Sequence, residues 1–167
     1  QALYSNTTGG NTAVGNAALY SNTSGYGNLA MGLESLKANT TGGGNNAIGY
    51  QALYTNTTGD NNEALGRAAL YSNTTGYSNV AIGRDTLETN TTGYQNTGVG
   101  AYVLERNTTG SNNTASGFKT LWSNTTGANN NASGYQALYA NTTGAYNVAL
   151  GSSALAANTT ANEPHDG

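Results

Sequence analysis

Asn79-Val80-Ala81-Ile82-Gly83-Arg84-Asp85-Thr86-Leu87-Glu88-Thr89-Asn90-Thr91-Thr92-Gly93 is the stretch that decides the fold. Its first five residues alternate, with Ala81 facing one side of an extended segment and Ile82 the other. Its last four, N-T-T-G, read as a turn. The same pattern recurs before and after it. Gly83 belongs to the series Gly15, Gly32, Gly49, Gly66, Gly83, Gly100, Gly117, Gly134 and Gly151, spaced by 17 residues. Gly93 belongs to a second series of the same period, from Gly25 to Gly144, and Gly9 precedes that series by 16. The consensus is G-x-x-A-L-x-x-N-T-T-G-x-x-N-x-A-φ, with φ mostly apolar.

Near-identity between repeats means that each repeat meets its own copies above and below, which is the logic of a solenoid. Seventeen residues with two glycines cannot hold the two amphipathic helices of a helical repeat. The predicted fold is all-β, a parallel β-solenoid of about ten 17-residue coils over residues 1–160, with a tail at 161–167. Two short strands joined by two turns fill each coil. The A-L-x-x-N-T-T-G half reads as a strand running into a turn, with one helical turn closed by glycine as the alternative.

Composition supports an ordering force other than a bulky core. The chain has 26 Asn, 26 Thr and 24 Gly among 167 residues, only 36% apolar residues, 8% charged residues and a net charge of −3. Too few aliphatics are present for a conventional core, and too little charge to hold the chain open. Asn22, Asn39, Asn56, Asn73, Asn90, Asn107, Asn124 and Asn141, with the threonines that follow them, are expected to stack as polar ladders. The Ala column implies a flat, narrow interior where two sheets approach closely. The column Val14, Met31, Ile48, Leu65, Ile82, Val99 and Leu150 then points outward and is expected to be covered by another chain. The converse, aliphatics inward and Ala outward, is the alternative.

The same residues exclude much chemistry. There is no Cys, and the one histidine, His165, sits two residues from the C-terminus, which leaves no platform for a catalytic triad or a zinc site. Five Lys and Arg form no nucleic-acid-binding patch, and no apolar run is long enough for direct membrane insertion. Asp60, Asp85 and Asp166 are not periodic, so no metal is expected, and no cofactor motif is present. Asp85 with Glu88, and Glu105 with Arg106, read as solvated surface groups rather than acid–base pairs. Starting at Gln1, the chain reads as processed or as a fragment. No catalytic residue is expected.

Three further readings concern partners. Tyr4, Tyr20, Tyr54, Tyr71, Trp122 and Tyr139 share the column after Leu and are candidate glycan contacts, or else a stabilising stack. Each N-T-T or N-T-S triplet is also an N-x-[ST] acceptor. Two threonines per corner keep ice binding open as a third class.

The N-x-A-φ-G-x-x-A motif, as at Asn79–Gly83 and Asn147–Gly151, resembles the head repeats of trimeric autotransporter adhesins, with Asn for Ser and N-T-T as an apparent insertion. The N-T-T-G tract is similar to repeats of tail-fibre-like proteins of bacteria and phages. The resemblance implies a left-handed parallel β-roll, three chains side by side, in a fibre or adhesin on a cell or virion surface. The expected partner is the chain itself, as a homotrimer or an end-to-end filament.

Overall fold

A computed structural model describes residues 1–159. Residue 160 and the tail expected at 161–167 lie outside the described residues. Nine strands follow one another: β1 (Thr12–Val14), β2 (Leu29–Met31), β3 (Asn46–Ile48), β4 (Glu63–Leu65), β5 (Val80–Ile82), β6 (Thr97–Val99), β7 (Thr114–Ser116), β8 (Asn131–Ser133) and β9 (Val148–Leu150). They form a single sheet in chain order, every pair parallel and every residue opposite its own copy, as Ala47 is opposite Ala64 and Ile48 opposite Leu65. The chain is a β-solenoid of stacked coils.

Each coil contains one strand, not the two expected. The A-L half is neither a strand nor a helical turn. There the sign of φ alternates: Asp85 has φ 53° and Leu87 φ 54°, with Thr86 between them outside the left-handed region. The same pair of left-handed positions recurs in each full coil, from Ala17 and Leu19 to Ser153 and Leu155. This alternation winds the chain tightly, yet its amides still run along the solenoid axis. Leu87 N–H donates to Val103 O at 3.0 Å, and Thr89 N–H to Glu105 O at 3.0 Å. A left-handed leucine costs about 1–2 kcal/mol. Each of these leucines from Leu19 to Leu138 is fully buried, and burying such a side chain returns a comparable amount, about 1.5–3 kcal/mol.

The interior is accordingly not a space between two sheets. The strands supply Ala30, Ala47, Ala64 and their copies, and the turn half supplies the leucine column opposite them. Small meets large, which is why so few aliphatics suffice. One exception shows how tight the fit is. Gly98 replaces Ala in its column, and a Cβ there would lie 2.8 Å from Thr86 Cγ2 and 3.3 Å from Val103 Cγ1. Thr86 and Val103 stand where neighbouring coils carry Ala69 and Ala52, so the missing methyl offsets their bulk. Gly98→Ala is expected to lose about 1–3 kcal/mol by overpacking. Adding Thr86→Ser, which removes Cγ2 and keeps the hydroxyl bond to Gly100 O, should recover most of the loss in urea unfolding.

Polar ladders complete the core. Asn73 Nδ2 donates to Asn56 Oδ1 at 2.8 Å and to Gly76 O at 2.9 Å, and Asn73 Oδ1 accepts from Asn90 Nδ2 at 2.9 Å. The same links join Asn22 through Asn141, all fully buried. The threonines ladder differently from the asparagines. Thr91 Oγ1 donates to the backbone carbonyl of Thr108 at 3.0 Å, not to another hydroxyl.

A second buried asparagine column, Asn28, Asn45, Asn62, Asn79, Asn96, Asn113, Asn130 and Asn147, was not singled out as a ladder from the sequence. Asn79 Nδ2 donates to Gly93 O at 2.9 Å, and Asn79 Oδ1 accepts the backbone N–H of Asn96 at 3.0 Å. The Gly93 carbonyl therefore receives two amides, since Asn90 Nδ2 also reaches it at 3.0 Å. The signal was present in the sequence as an asparagine two residues before each strand alanine.

Candidate functional faces

Because side chains alternate along a strand, the inward Ala column leaves its two neighbours facing out. Val14 (55% exposed), Met31, Ile48, Leu65, Ile82, Val99 and Leu150 (69%) form an exposed file one residue wide. Beside it runs the file Thr12, Leu29, Asn46, Glu63, Val80, Thr97, Thr114, Asn131 and Val148. With strands about 4.8 Å apart, this face is about 38 Å long. Its one charged residue is Glu63, whose Oε1 accepts from Asn46 Nδ2 at 2.7 Å. The aliphatic file is interrupted at Ser116 and Ser133.

The glycan-candidate aromatics come together in pairs. Tyr4 stacks on Tyr20, Tyr54 on Tyr71 and Trp122 on Tyr139, with centroids 5.0, 5.0 and 5.2 Å apart and planes within 5°. The ring faces inside each pair are occupied. Arg106 lies 3.8 Å over the Trp122 ring, the indole N–H donates to Glu105 Oε2 at 2.7 Å, and Lys37 sits 5.3 Å over Tyr54. A sugar could stack only on the outer faces left free. The geometry is that of an in-register stack, favoured because coil spacing matches ring spacing. A fourth stacked pair, Tyr77 on Tyr94, centroids 5.0 Å apart, lies just past the N-T-T-G corner, in a column that the sequence did not single out.

The N-x-[ST] acceptors are structural in the folded chain. Asn22, Asn39, Asn56, Asn73, Asn90, Asn107, Asn124 and Asn141 are fully buried, and a glycan on Nδ2 would take from the ladder the nitrogen that makes its bonds. The corner threonines are unequal. Thr40, Thr57, Thr74 and their copies spend the hydroxyl on the next coil's carbonyl, while Thr41, Thr58, Thr75 and theirs are exposed. One free threonine per coil, not two, faces water there.

The charged group of coils four to six departs from the expected solvated surface. Asp85 is 5% exposed. Arg67 grips both its oxygens, at 2.7 and 3.0 Å, and Arg84 Nε meets it at 2.9 Å. Arg67 lies one coil back and one residue out of step, a diagonal that only the coil geometry reveals. Asp85 is a clamp between coils. Glu88, half-buried beside it, has its carboxyl pushed up by desolvation and then by the negative charges of Asp85 and Glu105. A carboxyl raised in the folded state favours folding at low pH, and that contribution is lost as pH rises through its folded value. Glu88→Gln should therefore be more stable than the native chain at pH 7, with the difference shrinking toward pH 4 in thermal melts.

No group of three or more His, Cys, Asp or Glu among the described residues could hold a metal ion. No protein-family model, curated protein or solved structure matches the chain.

Proposed function

We propose that the chain is a rod segment of an extracellular fibre or adhesin, on a cell or virion surface, and that its outer strand face is covered by further copies of itself, three side by side. It works as a scaffold and not as an enzyme. The observation that carries this reading is the exposed aliphatic file on the single sheet. Contiguous apolar patches on a surface mark interaction sites, and the unbroken aliphatic run from Val14 to Val99 crosses six strands, about 24 Å. Its regularity points to the partner. A ridge repeating every coil is commensurate with another ridge of the same period, and a second copy of this chain supplies one.

The test is direct. Ile48→Asp with Ile82→Asp places two carboxylates in the middle of the face without touching the buried Ala, Leu or Asn columns. It should leave the circular dichroism spectrum unchanged and weaken association by at least about a thousandfold, since each buried unpaired charge costs several kcal/mol. An assembly that survives the double substitution would refute the reading.

A further inference from the structure

From the lone carboxylate on this face we infer that self-association of the chain is coupled to protonation of Glu63, so that copies assemble more tightly in acid. The inference rests on the self-association proposed above and adds its regulation. Glu63 lies on the middle coils of the face, exposed, between Asn46 of β3 and Val80 of β5. Nothing ionisable faces it from either neighbour strand: β3 presents Asn46 and Ile48, and β5 presents Val80 and Ile82. The two nearest ionisable residues along the chain are committed elsewhere. Asp60 Oδ1 accepts the backbone N–H of Gly43, and Arg67, beyond the Gly66 bend, holds Asp85.

All five Lys and Arg of the chain, Lys37, Arg67, Arg84, Arg106 and Lys119, sit outside the strands. Among the described residues, the outer strand face therefore carries no Lys or Arg to offer a second copy. Where strand face meets strand face directly, Glu63 meets either uncharged groups or another Glu63. Each case removes water from a carboxylate without supplying a counter-charge, and the second adds repulsion. Taking up a proton relieves both, and the neutral acid keeps Asn46 as a hydrogen-bonding partner. By linkage, association that favours the protonated form strengthens as pH falls.

Sedimentation of the whole chain at pH 7 and pH 4, beside Glu63→Gln and Glu63→Val, tests this. Val is already the residue at Val80 and Val148 of the same column, so the second variant guards against a fold defect peculiar to the first. The native chain should associate several-fold more tightly at pH 4 than at pH 7. Both variants should match its acid affinity at pH 7 and lose most of the pH dependence. Association of equal strength at both pH values, unchanged in the variants, would overturn the inference while leaving self-association intact. Assembly at pH 7 that needs a divalent cation and disappears with EDTA would overturn the proton in favour of a metal bridge. No association of any variant at either pH would overturn the self-association reading, and this inference with it.

Discussion

Replacing Asn73 by alanine is expected to remove about 3–5 kcal/mol of stability, far more than an exposed asparagine would. The substitution deletes two donated bonds and one accepted bond at a fully buried position. It leaves Asn56 Oδ1 without its donor and Asn90 Nδ2 without one of its two acceptors. Each buried polar group left unsatisfied costs about 1–3 kcal/mol. Asn46→Ala, on the outer face and half-buried, should cost well under 1 kcal/mol. Urea unfolding of the two variants side by side checks the contrast. A loss at Asn73 no larger than that at Asn46 would mean that the ladder does not hold the coils together.

Gly83→Ala is the second large effect. Gly83 has φ 135°, a region essentially reserved for glycine, and a Cβ there would run into the carbonyl of Gly100 in the next coil. That carbonyl is backbone, and the ladder fixes it: Gly83 N–H donates to Leu65 O and Gly100 N–H to Ile82 O, both at 2.8 Å. Strain of about 1–3 kcal/mol from φ alone adds to the clash, so the loss should exceed about 3 kcal/mol. Gly27→Ala supplies the control. Gly27 has φ 66°, and its Cβ would meet only Gly44 N, at 3.9 Å. Three coils on, Ser78 takes the same conformation, with φ 54°. This variant should cost about 1 kcal/mol or less. Thermal melts of the pair separate a glycine needed for coil-to-coil contact from one that is merely convenient.

These contrasts show what could be read from residues and what could not. The 17-residue period, the parallel stacking and the asparagine ladder from Asn22 to Asn141 were legible, because identical neighbours impose identical environments. The inward alanine was legible from strand alternation. The second strand was not, because A-L-x-x resembles half of a β-pattern. Nothing in the letters reports that Leu87 adopts φ 54°, a conformation that leucine's own preferences oppose and that burial compensates. The Asp85 clamp escaped notice because its partner Arg67 is out of register by one residue. Glu63 stands in a variable column, and the letters alone do not report that every Lys and Arg lies off the strands.

The central claim is that the aliphatic file of the outer face is an interface between copies of this chain. Sedimentation equilibrium of the purified native chain, at micromolar concentration and at pH 7 and pH 4, tests it most directly. The account predicts a species of three times the 16.9 kDa of one chain, favoured on the acid side and lost in the Ile48→Asp, Ile82→Asp variant. A native chain that sediments at 16.9 kDa at every concentration and pH would contradict it.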